Sequence, residues 1–218
     1  MISLRDRIVF VHLRRTGGNS IEVALGGVVL LDRWFRPTMD WDNQFHRGRS
    51  WRKIDRRGHR IHSTAEEIRR LHPRAFDQCF KFAIVRNPWE QMASLYGRLH
   101  ADDRAFAGFR HWLWRFGLEK GTVPRASLYD RSGRSLVDFV GRFERLQDDF
   151  DEACDRAGVP RRTLPRTNPS AGRPLAEIYD AAAMAIVRRI FAHDIEHFGY
   201  SFDSAASPRS TMSEQAAA

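Results

Sequence analysis

The chain has 218 residues, 42% of them hydrophobic and six of them tryptophan, which suits one globular domain with a sizeable core and argues against a disordered polymer. Its 36 Lys and Arg against 27 Asp and Glu leave a formal charge of +9, which calls for a polyanion or a small, highly charged anion as partner. Two distant cysteines, Cys79 and Cys154, with no CxxC spacing, argue against a disulfide framework or a cysteine zinc site and fit a reducing compartment.

Ile8 to Leu13 (IVFVHL) is a β-branched and aromatic run that predicts a buried strand. By starting so early it leaves no room for a signal peptide, and no stretch approaches the ~20 apolar residues of a membrane span. The expectation is a soluble, cytoplasmic protein. Helical signals start near Asn19 or Ser20 and fade at Gly26-Gly27, and Val28 to Leu31 reads as a further strand. Residues 33–60 mix three tryptophans with nine Arg or Lys and three Asp, without a clean period, and read as a surface excursion. "HSTAEEIRRLHP" has a capping-box spacing from Ser63 to Glu66 and a stop at Pro73, so it predicts a short helix.

Phe80 to Val85 (FKFAIV) predicts a second core strand, and Pro88 opens a helix directly after it. Residues 103–117 read as an aromatic helix, Phe139 to Phe143 as a strand, and Asp148 to Ala157 as a helix. After the loop "VPRRTLPRTNPSAGRP" comes one helical run from Leu175 to Phe198. Residues 204–218 read as a disordered tail, leaving 1–203 as the domain. Alternating strands and helices, with no internal repeat, predict an α/β fold: a central parallel β-sheet flanked by helices.

Two segments carry chemistry. In "HLRRTGGNS" a glycine turn leads from strand to helix, so backbone N–H groups and the helix dipole favour an anion. Thr16, Asn19 and Ser20 add donors, and Arg15 adds a charged fork. The spacing is not the GxxxxGK[ST] of a triphosphate loop, because the lysine is missing and the glycines fall elsewhere. In "FAIVRNPWEQMASLY" Arg86 falls at the carboxyl end of a strand, where α/β sheets bind ligands. Ser94 lies about two helical turns further on, a suitable companion for a second phosphate.

With both segments in this order, the chain resembles the sulfotransferases that use 3′-phosphoadenosine 5′-phosphosulfate (PAPS), and most closely their carbohydrate-acting branch with its bacterial relatives. That branch carries "hhVHhPKTGGTSh" (h, apolar) and "FhhVRNPhxRhhSxY", which stand here as "IVFVHLRRTGGNSI" and "FAIVRNPWEQMASLY". "HSTAEEI", "VGRFERLQDDF", "LPRTNPS" and "FAHDIEHFGYSF" follow in the family's order. The resemblance implies a P-loop-like nucleotide-binding fold, with PAPS as sulfate donor, adenosine 3′,5′-bisphosphate (PAP) as product and no metal. The acceptor would be a hydroxyl-bearing molecule, in this branch a saccharide. Arg14, Arg15, Thr16, Gly17, Gly18, Asn19 and Ser20 would hold the 5′-phosphosulfate. Arg86 and Ser94 would hold the 3′-phosphate, with Arg166, Asn168 and Ser170 closing over it or the adenine.

The resemblance also assigns catalytic roles. Arg15 stands where the family has the lysine that supports the leaving oxygen, Arg14 where it has proline, Asn19 where it has threonine, and Gln91 where it often has arginine. His62 is the candidate base, with a pKa range suited to proton abstraction; His59 and Glu144 are the alternatives. His12, inside the first strand, reads as a hydrogen-bonded core residue. The aromatic and basic segments 33–60 and 103–117 would flank the acceptor. Other readings stay open: a catalytically impaired nucleotide binder, a P-loop kinase, or a basic nucleic-acid-binding protein. Against the last stands the spread of arginines along the chain without a recognition module. Oligomeric state and regioselectivity are not encoded in any motif.

Overall fold

The computed structural model describes residues 1–26, 62–100, 107–116, 123–165 and 173–203. Four strands form one sheet in the order β1 (Ile2–Ser3), β2 (Ile8–Val11), β3 (Phe80–Val85) and β4 (Phe139–Arg142). β2, β3 and β4 run parallel, with Val11 opposite Ala83 and Val85 opposite Arg142. β1 is antiparallel to β2, so the sheet is mixed rather than wholly parallel. The cause is a tight connection: only residues 4–7 join β1 to β2, too few for a parallel crossover. Ser3 braces that turn by donating its hydroxyl to Asp6 (2.9 Å).

Side chains alternate across the sheet, as strand geometry requires. Val9, Val11, Ala83 and Val85 face one core with Trp89, Met92, Leu113 and Val187. Ile8, Phe10, Phe82 and Ile84 face the other with Ile21, Phe150 and Cys154. Every residue of β2 is buried, as expected for an inner strand covered on both faces.

The helices are α1 (Gly18–Ala24), α2 (Ala65–Leu71), α3 (Pro73–Gln78), α4 (Pro88–Leu99), α5 (Phe109–Phe116), α6 (Pro124–Leu128), α7 (Leu146–Ala157), α8 (Leu175–Ile178), α9 (Ala181–Ile190) and α10 (Ala192–Phe198). The capping box of α2 is set one residue later than its spacing predicts. Thr64 accepts from the Glu67 N–H (3.2 Å), and Glu67 accepts from the Thr64 N–H (3.0 Å). This frame buries Ala65 and Ile68 together. Pro73 does not end the helical region but opens α3.

The helical run after Leu175 is broken in two places. Tyr179 is buried and donates its hydroxyl to the Trp89 carbonyl (2.8 Å), while Asp180 caps α9 by accepting from the Ala183 N–H (2.7 Å). Phe191, fully buried, forms the second joint. Val28 to Leu31, the excursion at 33–60 and the tail at 204–218 lie outside the described residues. No helix among the described residues is long and apolar enough to cross a membrane. Both cysteines are free and buried, and burial pushes the Cys154 thiol up to about 11.

Candidate functional site

The parallel register places the end of β2 beside the end of β3, so the loop at 12–17 and the turn at 86–88 emerge side by side. The loop changes direction through two left-handed residues, Arg15 (φ 62°) and Gly17 (φ 80°). Arg15 adopts there a conformation that residues with a Cβ rarely take. Thr16 is buried and donates its hydroxyl to the Leu13 carbonyl (3.0 Å), so it braces the loop from inside. Gly18, the first residue of α1, lies directly against His12. A Cβ there would come within 2.2 Å of the imidazole.

α4 holds this loop along its length. Gln91, fully buried, donates to the Arg14 carbonyl (2.8 Å), and Arg86 donates Nη1 to the Arg15 carbonyl (3.1 Å). Arg15 donates Nε to the Ser94 hydroxyl (2.9 Å), joining residues 79 positions apart. The two segments singled out from the sequence therefore meet in space.

Their arginines differ in what they can still bind. Arg86 is buried, with Nε and Nη2 on Glu90 (3.1 and 3.0 Å) and its guanidinium stacked 4.1 Å above the Phe143 ring. Its fork is engaged by Glu90 and the Arg15 carbonyl. Arg15 is half-buried, and among the described residues no carboxylate faces it. Burial, followed by the charges of Arg86 and Arg98, lowers its pKa to about 10, so it stays cationic at neutral pH. Arg14, Asn19 and Ser20 belong to the same turn, with Ser20 buried and Arg14 and Asn19 half-buried.

The candidate bases separate. His12 is buried and pairs Nδ1 with Glu22 (3.0 Å), a hydrogen-bonded core histidine as its strand position predicts. His62 places Nδ1 on the His12 carbonyl (3.1 Å), with the two rings edge to face at 4.8 Å. A carbonyl only accepts, so Nδ1 carries the proton and Nε2 is left as the basic nitrogen. Burial, then His12 and Arg14, depress the His62 pKa to about 2, and the ring is neutral. Glu144 has both oxygens engaged: Oε1 accepts from the Asn87 N–H (2.7 Å), and Oε2 from the Tyr200 hydroxyl (3.4 Å). It anchors the turn and is poorly placed to serve as a base. His59 and the loop residues Arg166, Asn168 and Ser170 lie outside the described residues.

α5 turns Phe109, Trp112 and Leu113 into the core and leaves Trp114 80% exposed, so most of this aromatic helix is packing. Among the described residues no group of three or more His, Cys, Asp or Glu could hold a metal. Sequence reasoning missed Glu22, Glu90 and the bracing role of Gln91. Glu90 had a readable signal, since it stands four residues after Arg86, in the first turn of the helix that Pro88 opens.

No family model and no solved structure matches this chain. An uncharacterized protein of the archaeon Archaeoglobus fulgidus is 27% identical over 106 residues, covering 47% of this chain and 87% of its own length. That similarity brings no activity with it. The functional reading rests on the site itself.

Proposed function

We propose that the chain is a PAPS-dependent sulfotransferase of P-loop-like fold, acting on a hydroxyl acceptor of the saccharide class. The observation that carries this reading is the 2.9 Å contact between Arg15 and Ser94, which joins the glycine turn to the RNP helix. It forms one cationic, hydroxyl-bearing rim at the carboxyl ends of two parallel strands. When bound, PAPS supplies a sulfuryl group that passes in line to the acceptor oxygen as its bond to the 5′-phosphate breaks. Arg15 keeps its Nη donors for the charge on the leaving oxygen, because only Nε is used by Ser94. Backbone N–H groups of the Gly17–Gly18 turn add to the anion cradle. His62 Nε2 takes the acceptor proton, and a nearby anion opposes the depression of its pKa.

The rival nucleic-acid reading draws on the +9 charge. Against it, several arginines stand in local ion pairs: Arg69, Arg145, Arg156 and Arg161 all face carboxylates within 2.9 Å. Calorimetry with PAP, ATP and a DNA duplex in parallel decides between the readings. Micromolar binding of PAP alone is expected, and absence of PAP binding would sink the proposal. Arg15→Lys retaining sulfate transfer while Arg15→Ala loses it would separate an enzyme from a silent binder.

A further inference from the structure

One buried titratable pair takes no part in the transfer. His12, just past β2, and Glu22, on α1, have side chains only 4% and 8% exposed, with Nδ1 3.0 Å from Oε1. Burying a carboxylate carries a large desolvation penalty, which an apolar pair of similar volume would avoid. The pair lies against the anion loop. A Cβ on Gly18 would come within 2.2 Å of His12 Nε2, so the imidazole edge packs directly on the glycine turn.

The Glu22 carboxylate acts as a charge here, since it opposes proton loss from the Met1 amino group. An ionised carboxylate only accepts, so His12 Nδ1 donates to it and Nε2 faces Gly18 with a lone pair. In that state the pair carries a net negative charge beside a turn that is to hold an anion. Three other charged or titratable groups stand around it. The Met1 amino group, bonded to the Phe10 carbonyl, is pushed down to about 6, chiefly by burial, and is mostly neutral at pH 7.5. His62, edge to face with His12 at 4.8 Å, is also neutral. Arg14, on the loop, brings a permanent positive charge. An imidazole is the side chain whose ordinary range lies close to neutral pH.

Resting on the nucleotide reading above, we propose that the His12–Glu22 pair couples anion binding to a proton. When a phosphate or sulfate group occupies the Arg15–Gly18 turn, His12 Nε2 takes one proton from solvent. The new N–H bond forms on Nε2 while the Nδ1 proton stays on Glu22, so the pair becomes an imidazolium and a carboxylate with no net charge. The proton leaves again with the nucleotide. The site therefore holds its ligand more tightly as pH falls towards 6.5 and releases it more readily as pH rises.

The test is calorimetry of PAP binding at pH 7.5 in buffers of differing ionisation enthalpy, which counts the protons taken up. The wild type should take up about half a proton or more per nucleotide beyond His12→Gln, whose amide still donates to Glu22 but does not titrate. The difference cancels the titration of the ligand's own phosphates, whose second pKa lies near 6. Between pH 6.5 and 8 the wild type should lose up to about tenfold in PAP affinity relative to that variant. His62→Gln, and His193→Gln on α10, should keep the wild-type uptake. Imidazole NMR of the wild type gives a reading that needs no variant to fold: the His12 ring should titrate at higher pH with PAP bound than without it. Equal uptake in wild type and His12→Gln, or a His12 titration unmoved by PAP, overturns the coupling while the nucleotide reading stands. Uptake lost in His62→Gln instead would assign the proton to the other ring and also overturn it. If the wild type binds no PAP, both fall together.

Discussion

Arg15 and Arg86 sit at the carboxyl ends of neighbouring parallel strands, yet they do different work. Arg86 has its donors on Glu90 and the Arg15 carbonyl, with its face on Phe143. Arg15 uses one donor, on Ser94, and faces no carboxylate among the described residues. Being at the edge of an α/β sheet gives a charged residue access to a ligand. Whether it meets one depends on what already occupies its hydrogen-bonding groups. One arginine shapes the loop, and the other gives it unsatisfied positive charge.

The sharpest way to break this contrast is to remove each guanidinium. Arg86→Ala leaves Glu90 nearly buried without its ion pair and frees the Arg15 carbonyl, so urea unfolding should report a loss of about 3 kcal/mol or more. Arg15→Ala should cost less than about 1 kcal/mol, its effect falling on ligand binding. Equal losses for the two would erase the distinction.

A smaller effect tests how firmly the loop is seated. Gly18→Ala puts a Cβ 2.2 Å from an imidazole already held by Glu22, so about 2 kcal/mol of stability should be lost. Combining it with His12→Ala should recover part of that loss in the same unfolding measurement. A neutral Gly18→Ala would mean that His12 can move away.

The smallest effect is in pH. His62 is depressed from an ordinary 6.5 to about 2, chiefly by burial and then by His12 and Arg14. The unfolded chain therefore binds a proton that the folded one refuses between those values. Stability contributed by this group is complete above pH 6.5 and declines as pH falls below it, by about 1.4 kcal/mol per unit. Denaturant melts at pH 7.5 and 5.5 should show that slope, and His62→Gln should remove it. An unchanged slope in the variant would show that the pH dependence does not come from His62.

The inner strands were legible because Ile8–Val11 and Phe80–Val85 are apolar runs bounded by a glycine turn and a proline. The same reading could not find β1, since two residues carry no period. "STAEE" contains two overlapping capping frames, and the burial of Ala65 and Ile68, a tertiary fact, accompanies the later one. The breaks after Ile178 and Ile190 follow from where Tyr179 and Phe191 are buried, which no local propensity records. Within the site, the residue types on the two segments were readable and their meeting was expected. The engagement of Arg86 was overlooked because the strand-end position outweighed the Glu90 spacing. Gln91 stood only as a departure from a motif, although a long buried amide reaching a backbone carbonyl has a clear structural use.

The left-handed backbone at Arg15 makes charge and chain conformation separate variables at one position. Alanine removes the guanidinium but keeps the Cβ that makes this conformation costly, whereas glycine removes both. Arg15→Gly should therefore fold more readily than Arg15→Ala while binding anions equally poorly. A β-branched replacement would add steric strain to the missing charge. The alanine and glycine pair is consequently the cleaner route to what the guanidinium itself contributes.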